Sequence, residues 1–402
     1  MSLNDSIQAQ TSGGGADKVI RPGGTIGVLG GGQLGRMLAL SGRAMGYRFV
    51  TLDPTPDAPC GQVANRQIVA AYHDVEAAKA LAEQSDVITY EFENVDADVT
   101  SLLMEQSYVP QGSQLLYTTQ HRLREKRAIE AAGVKVAPYA EITSAAQLRT
   151  EAERFGTPCV LKTATGGYDG KGQWVIRSLD EVEAAYEELS RAKTELVLEQ
   201  FIHFDKELSV IAARSPRGEI KAFPAAENIH INNILHLSIV PARTADSIQR
   251  EAERLAMAIA ESMNVIGLIA VEMFLTADGE LYVNELAPRP HNSGHYTMDA
   301  CQTSQFEQHV RAICNLPLGS TELMTPVVMG NILGQHVEPL LDWIVQPESE
   351  QVDGVTAKVH LYGKHESKHN RKMGHVNVLA KSVEAAMQWI DASNIWEAKE
   401  KQ

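Results

Sequence analysis

Apolar and polar positions change rhythm several times along this chain, and the changes mark its parts. From Thr25, the run TIGVLGGGQLGRMLALSGRAMGYRFVTLDP reads as strand, glycine turn, helix and strand, one βαβ unit. Alternation continues through VITYEFENV and predicts an α/β domain with a mostly parallel sheet, ending near residue 120. A helical stretch with Arg122, Arg124, Lys126 and Arg127 follows. CVLKTATGGYDGKGQWVI then predicts strand, glycine loop, strand, and ELVLEQFI a further short strand. Residues 207–242 alternate in the rhythm of antiparallel strands, and a helix around 246–263 leads into VEMFLTADGELYVNELAPR. After about residue 320 a smaller mixed segment contains VTAKVHLYGK and RKMGHVNVLA.

VEMFLTADGELYVNELAPR predicts two strands around Asp278-Gly279, a strong short-range hairpin signal. A two-residue turn there faces Ala277 with Glu280 and therefore Glu272 with Glu285. Their Cβ atoms are then roughly 4.5–5.5 Å apart, and like charges so placed destabilise a sheet unless something positive lies between them. Carboxylate oxygens with few soft ligands nearby suit a hard cation. Mg²⁺ is the expected ion, with Mn²⁺ as an alternative, held by the two carboxylates plus substrate phosphates. The plainer reading leaves one or both glutamates facing solvent. A three-residue turn would break the direct opposition.

The bulk composition narrows the class. The 402 residues suffice for two or three domains, and 44% hydrophobic with 22% charged residues is ordinary for a soluble globular protein. A formal net charge of −15 argues against a general nucleic-acid or anionic-membrane surface while leaving room for a local basic pocket. Cys60, Cys159, Cys301 and Cys314 show no CxxC pairing, which fits reduced thiols in a cytosol. No apolar run reaches membrane-spanning length. The opening MSLNDSIQAQTSGGGADKVI lacks a signal-peptide core and reads as a mobile tail.

Two glycine loops carry candidate phosphate chemistry. Gly30, Gly32 and Gly35 after a strand, with Asp53 ending the next strand, match a dinucleotide fingerprint. The match is weak: such a turn serves a dinucleotide, another phosphorylated ligand, or packing alone. The second loop, Thr165 to Gly172, is no Walker A motif, because Gly follows Lys171 and the loop joins two strands. Strand, glycine loop, strand is the geometry of a flap closing over phosphates. Lys162 on the first strand is placed to meet a phosphate as a point charge. Tyr168 and Asp169 are not needed for flexibility, so their place at the flap tip points to contact with reacting groups. A surface hairpin is the bland alternative.

Lys162, the flap, Glu199-Gln200-Phe201-Ile202, Glu207 and the glutamate hairpin, in this order, resemble the ATP-grasp superfamily. GGGQLGRM, TGGYDGKGQW, NELAPRPHNSGH and YGK followed by RKMGH resemble one family within it, the 5-(carboxyamino)imidazole ribonucleotide synthetases of purine biosynthesis, from about Gly24 to Asp391. The resemblance implies an α/β and α+β chain. A tail (1–23) precedes a Rossmann-like pre-ATP-grasp domain (24–120), an ATP-grasp module (121–320, lid about 126–200) and a small C-terminal domain (321–402). It implies ATP-dependent carboxylation of 5-aminoimidazole ribonucleotide by bicarbonate. Carried over by motif, Arg122, Lys162 and the flap (Gly166, Gly167, Tyr168, Asp169, Gly170, Lys171, Gly172) contact ATP. Glu199, Gln200, Phe201 and Ile202 line the adenine pocket with backbone groups, Glu207 holds ribose hydroxyls, and His230 lies beside the nucleotide. Glu272 and Glu285 hold Mg²⁺. Asn284 comes with Glu285, although strand alternation points its side chain to the other face.

The chemistry so implied needs charge neutralised and water excluded. Arg289, four residues after Glu285, offers a planar fork for bicarbonate or carboxyphosphate; a structural ion pair is the plainer reading. Closure of the flap excludes water, and Asp169 with Tyr168 steers the intermediate. Lys364, Arg371 and Lys372 are expected to form a basic cradle for the ribotide phosphate; a solvated basic face is the plainer reading. Glu91 and Asn292 hydrogen-bond its amine and ribose, and the turn with Gly32 and Gln33 walls that pocket. His291 and His295 stand four apart, but without a third soft ligand zinc is not expected. His121 stands where the family commonly has Asp, which puts one phosphate-side contact in doubt. The expected assembly is a cytoplasmic homodimer with small-molecule substrates and no bifunctional fusion. Competing readings are a formate-using glycinamide-ribotide ligase with the same acylphosphate logic, an NAD-binding oxidoreductase built on Gly30–Gly35, and a nucleotide sensor without turnover.

Overall fold

The computed structural model describes residues 18–93, 95, 97–166, 171–346 and 354–397. Strands β1 (Thr25–Leu29), β2 (Arg48–Leu52), β3 (Arg66–Ile68) and β4 (Val87–Tyr90) form a parallel sheet in the order β3-β2-β1-β4. Helix α1 (Gln33–Ala44) crosses from β1 to β2 and buries Met37, Leu38 and Ala39. Its core continues into Phe306, Val310 and Ile313 from far along the chain, so this sheet is tied to the rest of the protein. Part of the tail expected to reach Gly23 is held by the fold. Ile20 is buried, its N–H donates to the Cys314 carbonyl at 3.0 Å, and its own carbonyl accepts from the Tyr47 hydroxyl at 2.7 Å. One apolar side chain and two hydrogen bonds therefore anchor this part; residues 1–17 lie outside the described residues.

Helix α2 (Arg122–Ala131) leads into an antiparallel sheet of β5 (Tyr139–Ile142), β6 (Cys159–Thr163), β7 (Gln173–Ile176) and β8 (Leu196–Gln200), ordered β5-β8-β6-β7. Two helices cover one face and bury Leu148, Ala152, Val182 and Ala185 against Leu161 and Leu198. The opposite face carries Lys162 and Glu199. Two-sided patterning of this kind makes a half-buried sheet.

The third sheet has nine strands. Its members are β9 (Lys206–Arg214), β10 (Ile220–Ala222), β11 (Ala226–Ile231), β12 (Ile234–Val240), β13 (Gly267–Leu275), β14 (Leu281–Ala287), β15 (Val327–Leu333), β16 (Val355–Leu361) and β17 (Lys372–Ala380). The order is β14-β13-β9-β11-β12-β15-β17-β16, with β10 beside β9. Helix α3 (Asp246–Ser262) buries Leu255, Ala256 and Ile259 against one face. The strands after residue 320 extend the central sheet, because β12 pairs with β15 from Leu237–Gly330 to Val240–Val327. Among the described residues no helix is long and apolar enough to cross a membrane.

The hairpin differs from its expected form in two places. The Thr276 N–H donates to the Glu280 carbonyl at 3.0 Å and the Gly279 N–H to the Thr276 carbonyl at 3.0 Å. The loop is therefore Ala277-Asp278-Gly279, three residues long, with Gly279 at φ +87°. Such a loop favours a glycine at its left-handed last position. Near the loop Leu275 faces Leu281 and Met273 faces Val283, one residue off the expected register. An irregularity between Glu272 and Met273 then restores it, so that Glu272 faces Glu285 after all. Asn284 is the extra residue of a β-bulge.

Candidate functional site

A cleft of about 920 Å³ opens between the second sheet, the glutamate hairpin and the loops after β1 and β4. Three sources supply its charges. On α2, Arg122, Glu125 and Lys126 share one helical face by their three- and four-residue spacing. On β6 and β8, Lys162 pairs with Val197 and Val160 with Glu199, so Lys162 and Glu199 are diagonal neighbours on one face. On the bulged β14, Asn284 and Glu285 both reach the cleft. Alternation alone had sent Asn284 to the opposite face; the bulge reverses that.

Glu199 is the most heavily engaged of these groups. Its carboxylate lies 3.0 Å from Lys162 Nζ and 3.3 Å from Lys126 Nζ, with about 5% of the side chain exposed. Burial works against its charge, but the two ammonium groups outweigh burial and hold its pKa down to about 2. Burial pushes Lys162 the other way, below the ordinary lysine value, with Arg122 and Lys126 adding repulsion. The expectation of backbone groups lining the adenine pocket did not include this ion pair, and Lys126 went unassigned. The same-face spacing of Lys162 and Glu199 was readable once β6 and β8 were paired, whereas the approach of α2 is tertiary.

The facing glutamates are neutralised unequally. Glu272 Oε1 lies 3.0 Å from His291 Nε2. Burial opposes its charge, yet His291, His230 and Arg289 together hold it below the usual carboxylate range. Glu285 is pushed up, first by its protein surroundings and then by the Glu272 charge; Arg122, at 3.7 Å, offsets this only in part. Its side chain is 45% exposed, which places that carboxylate at the cleft wall with one side open to a ligand. Among the described residues no group of three or more His, Cys, Asp or Glu is arranged to hold a metal by itself. Two carboxylates with room for phosphate oxygens fit Mg²⁺ and do not fit structural zinc. His295, the second histidine of the pair noted above, is buried and contacts Gln305 Nε2 at 3.0 Å.

Along the nucleotide side, His230 Nδ1 lies 3.0 Å from Glu207 Oε2. Burial disfavours the imidazolium, but Glu207 outweighs it and raises the His230 pKa. Gln200, Phe201, Ile202, Gly166 and Lys171 line the same cleft. Gly172 anchors the flap, its carbonyl accepting from the Thr163 N–H at 2.8 Å. Gly167, Tyr168, Asp169 and Gly170 lie outside the described residues. His121, standing where Asp was expected, pairs with Glu195 at 2.7 Å.

On the opposite side, Arg289 Nε lies 2.9 Å from Glu93 Oε1, and the guanidinium also lines the cleft. Asn292 lines it too, and its Nδ2 is buried with no hydrogen-bond partner among the described residues. Gln33 and Lys372 complete that wall. Lys364 and Arg371 stand behind it. Lys364 Nζ donates to the Lys372 carbonyl at 2.7 Å, and Arg371 Nη1 to the Glu366 carbonyl at 2.9 Å. Burial, then Arg371, push Lys364 down to about 8, while Glu91 opposes the fall.

The first glycine turn is already filled by protein. Glu91 accepts from the Gly32 N–H and, at 2.5 Å, from the Gly35 N–H, the position a pyrophosphate would take. A Cβ on Gly30 would sit 2.4 Å from Glu91 Cγ. Asp53, the acid expected on a ribose, accepts from the Gly31 N–H at 2.8 Å and the Tyr72 hydroxyl at 2.5 Å. The turn is thus braced by carboxylates, which removes the physical basis for a dinucleotide there. Glu91, expected on the ribotide amine, has both oxygens engaged by this turn.

Comparisons with known proteins agree with the geometry. The Ribonucleotide synthetase preATP-grasp domain matches residues 24–120, the ATP-grasp domain 127–306, and the Phosphoribosylaminoimidazole carboxylase C-terminal domain 327–388. An N5-carboxyaminoimidazole ribonucleotide synthase of Bacillus subtilis is 51% identical over 380 residues, 94% of this chain and 97% of the relative. One from Staphylococcus aureus strain COL is 42% identical over 90% of this chain and 94% of its own. A solved N5-carboxyaminoimidazole ribonucleotide synthetase in complex with ADP superposes with TM-score 0.89 at 53% identity, covering 96% of this chain and 100% of that one. The Aspergillus clavatus synthase, solved with ADP and 5-aminoimidazole ribonucleotide, gives TM-score 0.84 at 31% identity, covering 92% and 97%.

Proposed function

The chain belongs to the N5-carboxyaminoimidazole ribonucleotide synthases of the ATP-grasp superfamily, and from that premise we propose how its cleft performs the reaction. The activity is ATP-dependent carbon–nitrogen ligation: 5-aminoimidazole ribonucleotide is carboxylated by bicarbonate, with release of ADP and phosphate. The observation that carries the mechanism is one cleft holding Lys162 and Arg122 opposite the facing Glu272 and Glu285, with Arg289 beside them.

A bicarbonate oxygen attacks the γ-phosphorus of ATP, the bond to the β,γ-bridging oxygen breaks, and ADP leaves. Both reactants are anions, so the task is neutralisation and alignment. Lys162 and Arg122 meet the phosphates, and Arg289 holds bicarbonate beside them. Glu272 and Glu285 would hold Mg²⁺, which would supply Lewis-acid neutralisation of the charge developing on the phosphates. Glu207 takes the ribose hydroxyls, and Gln200 to Ile202 line the base. In the second step the exocyclic amine attacks the carboxyl carbon, the carbon–oxygen bond to phosphate breaks, and the departing phosphate accepts the proton. Asn292, whose amide donor has no partner among the described residues, suits an acceptor on the ribotide. Lys372 at the wall, backed by Lys364 and Arg371, supplies positive charge for the 5′-phosphate. The flap with Tyr168 and Asp169 is assigned to excluding water from carboxyphosphate. The braced glycine turn carries Gln33 to the same wall and leaves no room for NAD. Buried, unpaired Cys60, Cys159, Cys301 and Cys314 support a reducing, cytoplasmic location. A homodimer is the expected assembly on size grounds.

Steady-state ADP release distinguishes the readings. Release dependent on bicarbonate and stimulated by 5-aminoimidazole ribonucleotide is expected. Formate-dependent release with glycinamide ribotide would favour the rival ligase instead, which the relatives do not support. Glu285→Gln should lower release at least roughly a hundredfold, the scale of losing one transition-state electrostatic group. Undiminished turnover in that variant would remove the metal assignment.

A further inference from the structure

The bulge in β14 needs a reason to stay where it is. A three-residue loop sets Met273 opposite Val283, and that register, continued without interruption, brings Asn284 opposite Glu272. Glu285 would then turn away from the cleft, since a one-residue slip sends side chains to the other face. Nothing in the loop prevents this.

The free edge of the strand does. β14 is the outermost strand, so its outward N–H groups find partners outside the sheet. The Val283 N–H donates to the Lys135 carbonyl at 2.9 Å, and the Leu286 N–H to Glu125 Oε1 at 2.9 Å. These donors are three residues apart, where an unbroken strand turns the same way every second residue. The extra residue lies between them, and Glu125 holds its far side. Glu125 is about 3% exposed and sits on α2 between Arg122 and Lys126, which both serve the site.

We infer that Glu125 is a positioning residue: its carboxylate pins the Leu286 amide and thereby keeps Asn284 and Glu285 turned into the cleft. The pin itself is a matter of hydrogen bonding. Its consequence for cation binding rests on the reading of Glu285 as a ligand. A buried N–H left without an acceptor weakens the arrangement by roughly ten- to a hundredfold in its equilibrium.

The test uses the full chain and two readouts, amide hydrogen exchange at Leu286 and Mn²⁺ binding with ADP present, followed by electron paramagnetic resonance. Glu125→Ala should speed Leu286 exchange and weaken Mn²⁺ binding, each by about tenfold or more on the same scale. Glu125→Gln keeps an acceptor oxygen, so both readouts should return to within about twofold of the unaltered protein. Unchanged Leu286 protection in Glu125→Ala overturns the pin. So does a Glu125→Gln variant that loses Leu286 protection, and this variant decides alone if the alanine variant does not fold. Unaltered Mn²⁺ affinity in Glu285→Gln overturns the metal reading and the consequence drawn from it, while the exchange readout still judges the pin.

Discussion

Replacing Glu199 by Gln tests the electrostatic centre of the nucleotide side. The substitution keeps the shape and removes the only carboxylate ion-paired with Lys162 and Lys126 among the described residues. Glu199 falls from an ordinary 4.5 to about 2 in the fold. At 1.36 kcal/mol per pKa unit, that difference is about 3 kcal/mol favouring the folded chain at neutral pH. Lys162 argues for a smaller figure, because it is pushed down and not up. Its burial and its cationic neighbours cost more than Glu199 returns to it. We weight the carboxylate, which has two partners, and expect a net loss of about 2–3 kcal/mol, close to that seen on breaking buried ion pairs. In a multidomain chain the informative quantity is local. Native-state hydrogen exchange at Leu161 and Leu198 should therefore accelerate roughly 30- to 150-fold in Glu199→Gln at pH 7. The depressed carboxylate also fixes a pH window. Its contribution is complete above about pH 4.5 and lost as pH falls through about 2, so variant and unaltered protein should converge there. Exchange within about twofold of the unaltered protein at pH 7 would refute the reasoning.

Two further outcomes follow from the opposite wall. Lys364, lowered to about 8, is charged below that pH and neutral above it. The KM for the ribotide should therefore rise as pH passes through about 8, while Lys364→Met gives a high KM with no such step. Arg289→Lys keeps the charge but loses the fork shared with Glu93, so bicarbonate KM should rise about tenfold or more with ATP KM little changed.

Much of this site was legible because its chemistry is local. Lys162 and the flap lie along adjacent strands and Glu272 with Glu285 along one hairpin, so their membership of one site was readable from short stretches of chain. Lys126 and Glu125 were not legible. They belong to a helix whose contacts are to strands roughly 70 and 160 residues away, to Glu199 and Leu286. The ion pairs of Arg289 with Glu93 and His121 with Glu195 were hidden for the same reason. The glycine turn misled in the opposite direction. Its pattern is that of a phosphate site, but the group filling it, Glu91, comes from β4's far end and carries no motif.

The opposition of Glu272 and Glu285 was reached through two errors that cancel. Asp278-Gly279 suggested a two-residue turn, while the chain spends three residues and places Gly279 at φ +87°. The register near the loop is consequently displaced by one, and Asn284 returns it by one. Turn chemistry is written in adjacent residues, so a glycine at a left-handed position can be expected from sequence. A bulge has no comparable local signal: Asn284 is an ordinary polar residue, and what makes it the extra one is an acceptor on α2. The facing carboxylates therefore cannot be derived from the hairpin by itself. They require the edge of the sheet to be met by Glu125, and the geometry of the proposed cation site is a property of the hairpin and α2 together.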